Sequence, residues 1–291
     1  MDLNKQDFRP EFRENRTNLG FLLTKPYLFA INKFQVKVKL FLEKEDFIIK
    51  TAENDFELEQ VLRLRHDVFI KELLNKKKFF GIDIDKYDMM CDHLLVIEKK
   101  TGSYVGTYRL NSDLYSDQFY SEKEFFLGSL MDVPGLKLEI GRACIHRDFR
   151  KSNMMGLLWE GIYAYMGLMN ARYVFGCSSI MTTNPLEIAM VHKYLVDKGH
   201  STDEMGAYPR KKYVVKDFKK YLNMANKMNE EEVHRRAEKL IPKLIKDYFN
   251  FGAKIYGEPA LDKSFQCIDV LTMLDLSFIN HSYKEERLTA K

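Results

Sequence analysis

No stretch of this chain is both long and free of charge. The most apolar early segment, Leu19 to Leu42, is interrupted by Lys25, Lys33, Lys37 and Lys39 and by Pro26. A membrane span needs roughly 20 largely uncharged residues, so this segment is no transmembrane helix. Met1 to Asp7 lacks the basic and apolar regions of a secretory leader, and the chain is expected to stay in the cytoplasm. Cysteine is scarce: Cys91, Cys144, Cys177 and Cys267 stand far apart with no C-x-x-C pair. That excludes a zinc ribbon and a disulfide framework, and free thiols suit a reducing compartment. Internal repeats, Gly/Ser linkers and low-complexity tracts are also missing, so nothing marks an internal domain boundary. What remains is ordinary globular material: 291 residues, 45% hydrophobic and 30% charged, enough for a sizeable core and too apolar for disorder.

The net charge of +4 is unevenly placed. Between Lys211 and Lys246 stand 11 Lys and Arg against 5 Asp and Glu, a net of +6 that leaves the rest of the chain at −2. A concentrated basic segment attracts an acidic protein, an anionic membrane surface or nucleic acid, or is simply a solvated helix face. No zinc-finger spacing or aromatic–basic repeat accompanies it, so no nucleic-acid partner is expected.

Apolar periodicity predicts a strand at 47–51, an amphipathic helix over 56–75 and a hairpin of strands 93–98 and 104–109 about the Lys99–Gly102 turn. It also predicts a strand at 137–146, a helix to about Met169, a strand at 173–177, helices at 187–196 and 233–249, and a final strand at 267–274. The order is mixed α/β. Within it, Leu138 to Trp159 reads as strand, turn and helix. Helix N-termini carry unpaired N–H donors and suit phosphate; Arg150 and Lys151 would reinforce this, Ser152 or Asn153 could cap, and Gly156 lets a pantetheine arm approach. A plain capped core helix is the alternative.

Arg150 to Gly156 resembles a loosened acyl-carrier phosphate loop of the GNAT N-acyltransferases, without the R-x-x-G-x-G/A glycine pattern. A single phosphopantetheine phosphate demands less of such a loop than a CoA pyrophosphate. Arg65-His66-Asp67-Val68-Phe69, Asp85-Lys86-Tyr87-Asp88, Val105 to Leu110 and Glu139-Ile140-Gly141-Arg142 follow in the order of the acyl-homoserine-lactone synthase motifs. Asn75 stands where those enzymes carry a tryptophan. A closer resemblance, from about Phe56 to Tyr283, is to the ornithine-lipid N-acyltransferases. It rests on Asp92-His93-Leu94-Leu95-Val96, Phe119 to Phe125, Ile140 to His146, Leu158 to Ile162 and Gly252 to Asp262. The resemblance implies a GNAT-like α/β fold: a mixed central sheet with flanking helices, an N-terminal extension (1–45), an acyltransferase domain (46–283) with C-terminal helical and strand additions, and a tail (284–291). It also implies transfer of a 3-hydroxyacyl chain from acyl carrier protein to an amino-acid α-amine, of ornithine foremost or glycine, with no metal and no cofactor beyond the carrier thioester.

Individual residues carry expectations of their own. Glu139 is a carboxylate inside an apolar strand, costly to bury unless used or paired. It is either the base for the attacking amine or half of a buried Glu139–Arg142 pair. Either role needs a β-bulge, since residues three apart point to opposite faces. Asp85, Asp88 and Asp92 could hold a cationic substrate side chain and His93 could relay a proton, or they form an ordinary capped loop. Arg109 could pair with the substrate carboxylate. The motif likeness adds Arg65, Phe69 and Arg142 to the substrate site. Tyr120, Phe125 and Trp159 read as core that could also wall an acyl tunnel. Cys144 and His146 lack a third group to orient them, and Cys144 reads as an apolar filler. A non-catalytic membrane-binding protein is the rival from another class.

Overall fold

The computed structural model describes residues 31–278 except 77 and 79; residues 1–30 of the expected extension and the 284–291 tail lie outside these. The strands, in chain order, are β1 (Phe41–Glu43), β2 (Phe47–Thr51), β3 (Asp92–Glu98), β4 (Ser103–Ser112), β5 (Phe125–Phe126), β6 (Leu136–Ile145), β7 (Ala171–Ile180), β8 (Ser201–Thr202), β9 (Tyr208–Pro209), β10 (Lys254–Asp262) and β11 (Cys267–Asp275). The helices are α1 (Asp55–Arg65), α2 (Met154–Met169), α3 (Pro185–Asp197), α4 (Phe218–Asn226), α5 (Glu230–Leu240) and α6 (Lys243–Asn250). Among the described residues one sheet runs β1-β2-β3-β4-β6-β7-β11-β10-β8, and β5 pairs with β9 beside it. Only β6–β7 and β10–β8 are parallel within the large sheet. This is the expected mixed sheet with flanking helices, and part of the expected N-terminal extension, β1, is a strand of it.

Alternation along β3 shows how the layers form. Leu94 and Val96 pack with Leu158, Ile162 and Tyr165 of α2, whereas Leu95 packs with Leu58, Val61 and Leu62 of α1 on the other face. Asn54 caps α1 by accepting from the Glu57 N–H at 2.9 Å, and Asn184 caps α3 ahead of Pro185. The helix expected over 56–75 changes character at His66: His66–Leu73 is a π-helical turn, a widening common at functional sites. The helix expected over 233–249 is two, because Pro242 has no N–H to continue the ladder of α5 and instead opens α6. The basic segment is therefore a 3₁₀ turn at Lys211–Tyr213 followed by α4, α5 and the start of α6. Strand β10 escaped the periodicity, since Gly257 and Pro259 interrupt it; the structure absorbs both in a register irregularity between Tyr256 and Ala260. Among the described residues no helix is long and apolar enough to cross a membrane.

Candidate active site

Strands β6 and β7 pair only from Leu136 to Glu139, then separate. Beyond that point β6 stays with β4, and β7 stays with β11. Gly176 sits at the fork, where any Cβ would collide with the Ile140 carbonyl oxygen. The β6 strand also bulges: Thr107 pairs with Cys144 and Arg109 with Gly141, so Arg142 and Ala143 together face Tyr108. Arg142 adopts φ +52°, the left-handed region. A cavity of about 250 Å³ passes through the opening, close to the low end (roughly 300 Å³) of small-molecule sites. Its lining includes the apolar side chains Phe69, Leu73, Trp159, Tyr248 and Phe251 and the polar side chains Glu139, Arg109, Arg142, Asp262 and Asp269.

The predicted substrate ligands Arg65, Asp85, Asp88, Arg109 and Arg142 do come together, but they bind one another. Arg65 Nη1 donates to Asp88 at 2.6 Å and its Nη2 to Asp83 at 2.9 Å. Arg109 Nη1 donates to Asp85 at 2.7 Å and to Asp88 at 3.0 Å, and Arg142 Nη2 to Asp85 at 3.0 Å. Three guanidinium groups thus meet three carboxylates, with Asp83 as the member the sequence reading did not name. Burial alone would raise the Asp83 pKa, but Arg65 and then Arg142 hold it down to about 2, and the same opposition lowers Asp85 and Asp88. Arg109 and Arg142 line the cavity, while Arg65, Asp85 and Asp88 lie outside its lining. Arg142 Nε is buried without a hydrogen-bond partner, so one donor of the network remains free.

Glu139 faces the same side as Phe175, its register partner, and lines the cavity. It is not paired with Arg142. Its carboxylate accepts the N–H of Tyr120 at 2.8 Å and of Ser121 at 2.7 Å, pinning the loop between β4 and β5 over the sheet. Burial raises its pKa, opposed by those donors. His93 and Asp92 lie elsewhere. The fully buried His93 ring is 2.9 Å from the Asp88 carbonyl oxygen through Nε2, and burial takes its pKa down to about 4. Asp92 accepts the N–H groups of Lys37 and Val38 and the Tyr165 hydroxyl, each at 2.8 Å, tying residues 37–38 to the sheet. Phe125 is buried with Phe119 and Phe175 rather than in the cavity wall.

At the start of α2, Arg150, Lys151, Ser152 and Asn153 are exposed; Arg150 pairs with Glu72 at 2.7 Å and Ser152 donates to the Phe149 carbonyl. Asn153 makes no side-chain cap, and its side chain fills the space a Cβ on Gly156 would need. Burial raises the Cys144 thiol to about 12, and the residue is outside the cavity lining. Residues that sequence reasoning passed over include Asp262 and Asp269 in the cavity wall, with Glu124 against them. The signal was there: Asp269 interrupts an apolar strand just as Glu139 does.

The family model described as an acetyltransferase (GNAT) domain matches residues 64–160. An L-ornithine Nα-acyltransferase of Agrobacterium fabrum (strain C58) is 30% identical over 256 residues, covering 80% of this chain and 82% of that protein. One from Rhizobium meliloti (strain 1021) is 29% identical over 251 residues, covering 80% and 81%. Among solved structures, a CoA-dependent acyl-homoserine lactone synthase aligns over 79% of each chain at 18% identity with a TM-score of 0.42. The protein is an acyltransferase, and the chain belongs to the L-ornithine Nα-acyltransferase family.

Proposed function

We propose that the enzyme moves a 3-hydroxyacyl chain from acyl carrier protein to the α-amine of ornithine, giving a lyso-aminolipid. The observation that carries this reading is the cavity itself, whose lining joins the carboxylates Glu139, Asp262 and Asp269 to aromatic and aliphatic side chains. A thioester carbonyl brought to the fork would meet the amine beside the carboxylates, with its acyl chain among Trp159, Tyr248 and Phe251. The names of the relatives support ornithine as acceptor. Glu139 takes a proton from the α-ammonium; the freed amine attacks the thioester carbon, the C–N bond forms and the C–S bond breaks. The bulge at Arg142–Ala143 leaves backbone N–H capacity for the oxyanion, a donor worth about 3 kcal/mol. Glu139 then passes that proton to the departing thiolate, takes the second proton from the acylated nitrogen and releases it to solvent. The α2 N-terminus with Arg150, Lys151, Ser152, Asn153 and Gly156 would hold the pantetheine phosphate.

The basic segment supports a carrier protein as donor. Lys211, Lys212, Lys219 and Lys220 are exposed, and Pro242, Leu244 and Ile245 at its end border the cavity. The test is a purified-enzyme assay with 3-hydroxyacyl carrier protein and ornithine, following thiol release and the N-acyl product by mass spectrometry. Ornithine-dependent thiol release is expected; release without an acylated amino acid would overturn the reading. Charge reversal at the four lysines should raise the KM for the carrier and flatten its salt dependence, because the Debye length shrinks from about 10 Å at 0.1 M to about 3 Å at 1 M. Variants that keep the carrier KM but lose affinity for anionic vesicles would make the segment a membrane-surface anchor instead.

A further inference from the structure

Glu124, Asp262 and Asp269 converge from the loop before β5, the end of β10 and the start of β11, each offering an oxygen within 4.8 Å of the others. All three are buried. Asp262 and Asp269 line the cavity. Half of the oxygens are already used. Asp262 Oδ1 accepts from Ser264 N–H and Oγ and from Phe265 N–H; Asp269 Oδ1 accepts from Ser179 Oγ at 2.6 Å; Glu124 Oε1 accepts from the Tyr120 hydroxyl at 2.9 Å. The other half are not. Glu124 Oε2 is buried and accepts from no donor group, and Asp269 Oδ2 meets only the Cys267 thiol at 3.9 Å, so between these two acids a shared proton is the one link.

No guanidinium is paired here as in the Arg–Asp network. Lys123 Nζ lies 3.9 Å from Glu124 Oε1 and is spread over the rings of Tyr120 and Tyr213, while Arg142 stacks on Tyr120 and Phe265 and bonds Asp85. Burial, then the charge of Asp269, raises the Glu124 pKa to about 9, so in the empty cluster a proton shared with Asp269 stands in for the missing cation. Arg142 reaches Asp269 by charge alone, without a hydrogen bond, and the remaining neighbours, Cys177, Ser179 and Cys267, bring no positive charge.

We infer that Glu124, Asp262 and Asp269 form the binding site for the side-chain ammonium of the acceptor, selecting an amino acid with a cationic side chain. This rests on the proposed acceptor chemistry and goes further by naming the residues that choose among amino acids. An ammonium presents three N–H donors, which matches one unused oxygen from each carboxylate. A calcium ion needs six to eight oxygen ligands and a magnesium ion near-octahedral geometry, more than this set supplies. The register supports a shared substrate. On β7, Phe175 pairs with Glu139 and Ser179 with Asp269, and Cys177 between them lines the same cavity on the same face. An amino acid laid along β7 would place its α-amine toward Glu139 and its side chain toward Asp269.

The test compares ornithine with norvaline, which has the same carbon chain without the terminal amine, in the full-length wild type and in Asp269→Asn and Glu124→Gln. The wild type should favour ornithine, and each variant should lower the ornithine-to-norvaline ratio of kcat/KM by about tenfold or more, through the ornithine KM. Glu124→Gln carries the test if Asp269→Asn does not fold. An unchanged ratio, or a wild type that acylates both equally, overturns the inference while leaving the transferase reading intact. Activity lost to EDTA, restored by Mn²⁺ and linked to Mn²⁺ binding that Asp269→Asn abolishes would make the cluster a metal site and overturn it too. If the wild type acylates neither amino acid the proposed function fails, and calorimetry with 1,4-diaminobutane decides the cluster alone. Binding weakened by Asp269→Asn supports it; binding absent or unaffected overturns it.

Discussion

Two carboxylate triads, one fully buried and one with Asp85 half-buried, pack against the same sheet and behave oppositely. Asp83, Asp85 and Asp88 meet Arg65, Arg109 and Arg142, and the charges cancel inside the protein. Glu124, Asp262 and Asp269 meet no such set and depend on a shared proton or a guest. The first has the chemistry of a scaffold: its charge is spent on holding α1, the β3 approach and β4 together. The second sets the unpartnered Oε2 of Glu124 beside two carboxylates that line a cavity, the condition of a binding site. Proximity of acidic residues is therefore not the informative quantity. What separates frame from site is whether the cations come from the chain.

Glu139 belongs to neither triad, and its replacement should have the largest effect. Two backbone N–H donors hold it and no cation pairs with it. As the base, Glu139→Gln should keep the Tyr120–Ser121 loop partly tethered and lower kcat by roughly 100- to 10,000-fold. Normal melting with full kcat would reduce Glu139 to a loop anchor and leave the second triad as the source of a base.

Next in size is the attack on the scaffold itself. Arg65→Met removes a guanidinium that touches Asp83 and Asp88 and leaves buried carboxylates short of a partner. Breaking a buried pair from one side costs about 3–5 kcal/mol. Chemical denaturation should show that loss, whereas Glu124→Gln in the second triad should hold or raise the melting temperature because it removes a buried acid that no cation hydrogen-bonds. Equal losses in the two variants would erase the distinction between the triads.

The triads should also divide the pH axis. Asp83 has a folded pKa of about 2, below its unfolded value, so its stabilisation is present above roughly pH 4 and is lost as pH falls toward 2. His93, lowered to about 4, acts with the same sign between roughly pH 6.5 and 4, since the unfolded chain takes up the proton first. Glu124 is raised to about 9, so the folded chain holds a proton that the unfolded chain has released, and stability falls as pH rises from roughly 4.5 toward 9. Melting temperature against pH should show both arms, and Glu124→Gln should flatten only the alkaline one. An alkaline arm untouched by that substitution would place its origin outside the second triad.

Much of the frame was readable because apolar periodicity is a local signal. The β3–β4 hairpin, β6, α2 and β11 stand where alternation and helical spacing put them. Local signals failed where the chain departs from ideal geometry: at Gly257 and Pro259 inside β10, at Pro242 between two helices, and at the π-helical turn after Arg65. The site divided similarly. Glu139 stood out as a carboxylate in an apolar strand, and Asp269 met the same test unnoticed. Asp85, Asp88, Arg109 and Arg142 were identified as polar ligands, but that they neutralise one another depends on strands far apart in sequence. Asp92 and His93 looked alike on paper and face core partners in space.

The smallest effect is expected at Cys144, beside the first triad. Its thiol is buried on β6 opposite Thr107, away from the cavity, with a pKa raised to about 12 by burial and only partly offset by Arg65. A nucleophilic cysteine needs a stabilised thiolate and an orienting base, and this environment opposes the thiolate. Direct attack by the amine makes no use of the sulfur. Cys144→Ala should therefore stay within a few-fold of wild-type kcat/KM, and what it loses should be stability, on the order of 1 kcal/mol for a small buried side chain. Mass spectrometry of enzyme quenched during turnover should find no acyl group on Cys144. An acyl-Cys144 adduct that forms and decays at the rate of turnover would replace direct transfer with a two-step mechanism and bring the first triad, through Arg65, into the chemistry.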